Sequence, residues 1–464
     1  MIADKIDPAD MRKPASFTSP ETYLKTDTRP VPQHMFEEST WDLGNEVMPK
    51  EGYISGEYHQ LEVKHLWKKV WQVACRENDI PEVGDRIAYD VVGQSVMVIR
   101  TAPDTVRAFH NTCQHRGTRL LEKCDNVKHI SCPFHNWSWN LDGSVHNIPA
   151  RWDFPGASDA DLALREVRCE RWNAFVFINF DKDAQPLENY LGPDILRHWR
   201  SWPRAHSRKT YHFGMIVPCN WKLALHGFNE IYHTVGVHPQ GLPFTADCSA
   251  KYDFYGLHTR FILSLGVPSP FIGETTEPQD SLDAFLSQYS PPEAFPNGFP
   301  QVSTFPQARA VLADLLRGSL RQMTGVDLTQ KSDAEMLDAI GYMFFPNVIH
   351  WGGYALPVIH RFRPNGNDHR SCLWEIMALA PYPEGAKMER DAPLVMLEAN
   401  ERFASRPEPE LRFIGEVLDQ DVHALRLIQQ GLESDGFSGP RLGNYQERNV
   451  RHFERQVAKL VGEG

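Results

Sequence analysis

The sequence predicts an α+β protein of more than one domain, on three observations. The chain has 464 residues, and at roughly 100–200 residues per domain that length calls for two to three. Between Ile87 and Phe180 short apolar runs alternate with turn residues, the pattern of a small all-β unit. Beyond residue 181 helical and strand patterns mix, and Glu408 to Ser434 carries the clearest helical period in the chain.

Taken in order, residues 1–50 hold several prolines and little periodicity, which reads as an extended arm. From Ser55 the pattern turns helical, with Val63, Leu66, Trp67 and Val70 at spacings of three and four. Ile87, Tyr89 and Val91 then alternate, Gly93-Gln94 signals a turn, and Val96 to Ile99 follows as a second strand. Short strands continue to the run Phe175–Phe180. The expected boundaries are 1–70 for the arm and its helix, packed on the C-terminal domain, 71–180 for the β domain and 181–464 for the rest. Ser269 to Pro306 is rich in Pro and Gly and reads as a long surface excursion, of a length that suits a lid. Tyr342 to Trp351 suits one central strand, and its Phe344, Phe345, Val348 and Trp351 suit an apolar pocket or, equally, ordinary core.

Composition narrows the function classes. Lys and Arg total 48 against 60 Asp and Glu, a net charge of −12; this argues against nucleic acid or an anionic membrane as the main partner. No apolar run reaches the roughly 18 residues that span a bilayer, and Met1 to Pro14 is polar, so no secretory signal is expected. Eight cysteines are too sparse for a disulfide scaffold. A reducing cytoplasm is the natural setting, and any Cys placed beside a His is first a candidate metal ligand.

Two such pairs occur in the β domain. The chain reads Cys113-Gln-His115 and, sixteen residues later, Cys132-Pro-Phe-His135. Four ligands of this kind could hold zinc or a [2Fe–2S] cluster in which two His replace two Cys on one iron. Zinc fingers pair Cys with Cys and His with His. Here each pair is mixed, which suits a Rieske cluster gripped between two loops, one iron taking both Cys and the other both His. Cys124 lies between the pairs outside this pattern, and His110 and His129 flank it as surface or supporting residues.

The second constellation is Glu230-Ile-Tyr-His233, with His238 five residues on. Glu230 and His233 fall on one face if the segment is helical. Gly236 and Pro239 should loosen the helix and swing His238 back toward His233. Two imidazoles and one carboxylate, with open positions opposite, form the facial triad of non-haem Fe(II) oxygenases. The carboxylate must come from elsewhere, because Glu230 is better placed beside His233 than on a metal. Leu411, Ile414, Leu418, Leu425, Ile428 and Leu432 form an apolar stripe on the late helix, and the skipped position is Asp421. A carboxylate on a buried stripe is costly unless it is paired or metal-bound. Asp421 is therefore the expected third ligand; the alternatives are Asp419, on the polar face, or an Asp421 paired with a buried Arg or Lys.

Together these motifs resemble the large (α) subunit of the Rieske non-haem iron ring-hydroxylating oxygenases. The resemblance runs through Cys113, His115, Cys132 and His135, with Trp137 and the Asp142-Gly143 turn. It continues through Asn220-Trp-Lys, Glu230-x2-His233-x4-His238-Pro239, Phe345-Pro-Asn347 and the Asp421 to Leu432 stretch. It implies a Rieske domain joined to a helix-grip catalytic domain, an antiparallel sheet around a long helix. It also implies head-to-tail trimers, with or without a small β subunit, in which Glu230 bridges the cluster of one subunit and the iron of its neighbour.

Three departures stand out. Asn136 replaces the usual Gly after the last cluster His; Asn tolerates positive φ, so the turn should survive. His226-Gly227-Phe228 lacks the Asn that often precedes this Phe near the iron, and His226 is either simply packed or takes over a supporting role. Glu230 replaces Asp; many aromatic dioxygenases carry Asp there and oxygenases of quaternary amines often carry Glu, so the substrate class stays open. The resemblance implies hydroxylation of an aromatic or other apolar substrate by O2, or oxidative demethylation of a methylated amine or ether. The competing class is a non-catalytic Rieske electron carrier with a ligand-binding domain. The chain shows no dinucleotide fingerprint and no plant-type ferredoxin run, so an external ferredoxin or flavin reductase is expected.

Overall fold

Val96 to Ile99 has no polar gap because both faces of its strand are covered. Val96 and Val98 join the large core shared with the C-terminal domain, while Met97 and Ile99 join a second core beneath the cysteine loops. All four are fully buried, and a side chain of this kind contributes about 1.5–3 kcal/mol when taken out of water. The computed structural model describes residues 18–39, 43–272, 275–355, 358–387, 389–408 and 411–462. The first 17 residues of the expected arm, including Met1–Pro14, lie outside these.

The β domain is a seven-stranded sheet and a small three-stranded one. The larger runs, in spatial order, Gln72–Arg76, Phe175–Asn179, Glu166–Trp172, Thr105–His110, Gln94–Ala102, Asp85–Val91 and Cys124–Asn126. The smaller comprises Ile130–Ser131, Ser138–Trp139 and Val145–Asn147. The C-terminal domain holds an eight-stranded sheet that is antiparallel except where Val395–Met396 pairs parallel with Ser207–Val217. The helix Leu411–Leu432 packs on that Ser207–Val217 strand and on the short helices Trp221–His226 and Thr234–Val237. The α+β architecture of a small all-β domain joined to a helix-grip domain is thus present. No described helix is long and apolar enough to cross a membrane.

The structure corrects two expectations. Tyr342–Trp351 is a hairpin, Ala339–Phe344 and Val348–Trp351, turned at a cis Phe345–Pro346 bond. Proline cannot donate to a ladder, so one central strand was never available. The Ser269–Pro306 excursion contains a helix, Pro278–Tyr289, which starts with Pro in its first turn and a Glu277/Asp280 capping box. Leu282, Phe285 and Leu286 bury its apolar face.

Residues 18–39 and 43–70 lie along the C-terminal domain. The Thr28 N–H donates to Asp333 at 2.7 Å and that of Ser39 to Asp253 at 2.9 Å. Glu62, fully buried, pairs with Lys222 and accepts the Trp221 Nε1–H at 3.2 Å.

Carboxylates with little exposure help to join the two domains: Asp391 pairs with Arg76 at 3.0 Å and Asp79 with Lys209 at 2.6 Å, and Glu375 ties in the most groups. Glu375 accepts from Arg361 at 2.7 and 2.8 Å, from Arg363 at 2.8 Å and from His212 at 3.1 Å. Arg361 also donates to the carbonyls of Val73 and Ala74, and Arg363 to that of Asp90, all in the β domain. Burial opposes the Glu375 charge, but the two guanidiniums outweigh it and hold its pKa well below the usual carboxylate range. Glu375→Ala strands two buried cations, so it should cost about 3–5 kcal/mol in urea denaturation. A loss below about 1 kcal/mol would contradict this role.

Candidate metal centres

The cysteine loops are two copies of one turn. Gly117 and Asn136, each four residues after a Cys, donate to that Cys carbonyl at 3.1 Å, and both have positive φ, 79° and 59°. Asn136 therefore keeps the turn that Gly makes elsewhere, as its tolerance of this region allows. The turns bury Cys113 and Cys132, each 3% exposed, and set their thiols in hydrogen-bond contact. On the outer side His115 Nδ1 and His135 Nδ1 face each other at 3.1 Å. Trp137 is buried beneath and stacks on His115 at 4.6 Å. Two soft thiolates on the inside and two imidazoles at the rim fit the donor set of a Rieske [2Fe–2S] cluster. His110 and His129 stand apart from this set; His110 leans on Phe180 and His129 stacks on His146.

The second set gathers where two short helices meet the long one. Trp221–His226 ends before Gly227, and the next helix begins only at Thr234. Glu230 and His233 therefore sit in the connecting turn and not on one helix face, contrary to expectation. They still meet, because Glu230 accepts both the His233 backbone N–H at 3.1 Å and its ring Nδ1 at 2.6 Å. The second helix stops at Val237, and His238 leaves it at φ −123°, ψ 55°, which turns its ring toward His233, 5.2 Å between centroids.

Asp421 completes the group. It is 7% exposed, between Leu418 and Leu425, while Ile428 of the expected stripe is 49% exposed. Asp421 Oδ1 lies 2.9 Å from His238 Nε2 and 3.8 Å from His233 Nε2. His233, His238 and Asp421 each bring one ligand atom within 4.8 Å of the others. Among the described residues no Arg or Lys forms an ion pair with Asp421, so a buried cationic side chain does not explain its burial. Asp419 has a different partner set. It accepts the backbone N–H groups of Phe403 at 2.9 Å and Ala404 at 3.1 Å, and Arg402 at 3.1 Å.

The hydrogen bonds also orient the rings. A carboxylate can only accept, so Glu230 requires His233 Nδ1 to donate. Gln420 Oε1 imposes the same on His238 Nδ1 at 2.8 Å, while accepting from Gln240 Nε2 at 2.8 Å. Both Nε2 lone pairs are thus left toward Asp421, as a metal site needs. Without a metal, burial pulls the His233 pKa down, but the Glu230 and Asp421 carboxylates outweigh it and raise it to about 9. Two imidazoles and one carboxylate fit a mononuclear Fe(II).

Sequence reasoning missed Gln420 and Gln240; a polar residue on a polar face next to Asp421 carries no separate signal. His226 packs edge-on against Tyr53 and Phe453, and its Nε2 lies 2.8 Å from Glu454 Oε1. Of the four candidate pocket residues only Trp351 lines a cavity at the site. Phe344 and Phe345 are spent on core contacts with Trp199 and Phe453, and Val348 lies in the same core.

Two adjoining cavities, about 400 and 160 Å³, share the wall formed by Gly227, Phe228, Glu230, His233 and Asp421. Only the smaller is lined by all three residues of the metal-ligating group, and Phe244, Phe261, Leu263, Leu265, Tyr289 and Trp351 make the rest of it largely apolar.

Comparison with known proteins places both domains. Residues 70–156 match the Rieske [2Fe-2S] domain, and residues 199–463 match the ring hydroxylating alpha subunit (catalytic domain). The carnitine monooxygenase oxygenase subunit of Escherichia coli (strain K12) is 27% identical over 228 residues, 48% of this chain and 60% of that protein. The biphenyl 2,3-dioxygenase subunit alpha of Rhodococcus jostii (strain RHA1) is 28% identical over 187 residues, 39% of this chain and 41% of that one. The matched stretches thus span about half the length of these relatives. The structure of a quaternary ammonium Rieske monooxygenase aligns with a TM-score of 0.63 at 18% identity, covering 89% of this chain and 95% of that one, a likeness of fold. The catalytic-domain match alone covers more than half of the sequence, and the chain belongs to the ring hydroxylating alpha subunit family, with a Rieske [2Fe-2S] domain ahead of its catalytic domain.

Proposed function

We propose that the chain is the terminal oxygenase component of an electron-transfer system, hydroxylating an aromatic or other apolar substrate with O2. The observation that carries this reading is the pairing, in one chain, of a Cys2His2 donor set with a two-His, one-carboxylate set opening on an apolar cavity. When bound, a Rieske cluster supplies electrons one at a time and a mononuclear Fe(II) supplies the place where O2 is reduced. Cys113, His115, Cys132 and His135 would hold the first, and His233, His238 and Asp421 the second. In this division residues 71–180 carry electrons, 181–464 activate O2, and 1–70 form the arm.

The protein's own groups do the rest. Glu230 fixes the His233 ring and stands ready to accept a hydrogen bond from a cluster His, whose second ring nitrogen is free to donate. Gln420 fixes His238. The apolar wall excludes water, so reducing power goes to substrate oxidation. His135 is exposed against Phe134 (57%), while Tyr232 (44%) and Val235 (37%) stand exposed next to His233 in the chain. Apolar rims at both centres support a homotrimer in which the cluster edge of one subunit docks at the iron site of the next. A separate ferredoxin or flavin reductase would supply the electrons, and the acidic composition with few cysteines supports a cytoplasmic setting. The second reading, oxidative demethylation of an amine or ether, uses the same residues, and relatives named carnitine and glycine betaine monooxygenases favour it.

Three outcomes test this. With a surrogate reductase, a panel of arenes, aryl carboxylates and methylated amines should include a compound whose oxidation consumes O2 in proportion to product; a pure electron carrier would yield none. Asp421→Ala should lose the mononuclear iron and all hydroxylation but keep the Rieske electron-spin signal. Asp419→Ala should keep both and lose only about 0.5–2 kcal/mol of stability as a missing cap. The reverse pattern would assign the wrong acid. Glu230→Gln should retain both metals but slow turnover at least about tenfold, about 1.4 kcal/mol of barrier. Single-turnover kinetics should place that loss in electron transfer; an unchanged transfer rate in both Glu230→Gln and Glu230→Ala would make Glu230 a purely structural residue.

A further inference from the structure

Among the described residues neither cavity is lined by a Lys or Arg. Glu230 and Asp421 face both cavities but belong to the metal site, where His233 and a bound Fe(II) would offset them; Glu447, which faces only the larger, has no such partner there. The other basic group on the larger wall besides His233 is His226, whose Nε2 lies 2.8 Å from Glu454 Oε1. Lys222 lies behind Tyr53 and is neutralised by Glu62. Glu447 is the unexplained acid. Its Oε2 accepts the Gly443 N–H at 2.7 Å, and among the described residues no cation forms an ion pair with it. The same wall carries Leu425, Leu432, Phe437 and Val450, and the charged groups whose fields reach Glu447 are Glu230, which opposes its charge, and His226 and Arg451, which favour it. Burial raises its pKa, so keeping a carboxylate there costs free energy. Such a cost is offset when a ligand brings the missing charge. The smaller cavity has the complementary character. Its volume of about 160 Å³ matches the roughly 150 Å³ apolar cavity that takes up benzene.

Resting on the oxygenase reading above, we infer that the paired cavities are built for an apolar amine. Glu447 receives the ammonium group in the larger cavity, the hydrocarbon part lies in the smaller one beside the iron ligands, and carboxylated or sulfonated molecules are rejected. Among the described residues a zwitterion finds no Lys or Arg on either wall for its carboxylate.

A matched series tests this on the iron-loaded holoenzyme by calorimetric binding without turnover. The probes are N,N-dimethylbenzylamine, its neutral isostere isobutylbenzene, the anion phenylacetate, and the zwitterion glycine betaine. The amine should bind at least about tenfold more tightly than isobutylbenzene, and phenylacetate at least about tenfold more weakly. Glycine betaine should bind more weakly than the amine. Glu447→Gln should remove most of the amine's advantage over isobutylbenzene measured in the same variant, and Glu447→Asp should keep it. The Rieske absorbance of each variant reports that it is folded. Phenylacetate binding as tightly as isobutylbenzene, or an undiminished amine advantage in Glu447→Gln, would overturn the inference. Neither result touches the oxygenase reading, which stands or falls on O2 uptake coupled to product.

Discussion

A carboxylate buried on an apolar helix face is the constraint on which the site depends. Asp421 sits between Leu418 and Leu425 at 7% exposure, and its close partners are two imidazoles. An isolated charge in such a place would neutralise itself or be replaced by a better-packed side chain. The neighbouring structure is arranged around supplying positive charge at that point. Glu230 and Gln420 take the outer nitrogens of the rings, so the inner lone pairs face the carboxylate. A divalent ion would satisfy all three groups at once.

The second requirement is a rigid frame. In the trimer proposed above, electron transfer between subunits would need each centre fixed relative to its own docking face. Glu375 meets this need by tying the two arginines of the catalytic sheet to carbonyls of the β domain through a buried, fully engaged network. The shared core through Val96 and Val98 does the same with apolar contacts. The cluster loops then need only local precision, which the repeated Gly117 and Asn136 turns provide.

How much of this could be read from the sequence depended on sequence separation. Cys113, His115, Cys132 and His135 were legible because their chemistry lies within two short local patterns. Asp421 was legible as a polar gap in a helical period, although Ile428, counted in the same stripe, turned out exposed. The Glu230–His233 contact was foreseen for an incorrect reason: the segment is a turn, but a side-chain cap brings the two together. The helix inside 269–306 was obscured by prolines that in fact start it, and the 342–351 strand was broken at Pro346. Gln420, Glu447 and the Glu375 network left no local trace. Gln420 meets His238 across 182 residues, and such pairings are decided by packing rather than by the residues on either side.

The account rests on two different metal centres in one chain, so the direct measurement is the iron and acid-labile sulfide content of anaerobically isolated protein. A Rieske cluster plus a mononuclear site predicts three irons and two sulfides per chain. Two irons and two sulfides in protein supplied with excess Fe(II) would mean that His233, His238 and Asp421 hold no metal, and would contradict it.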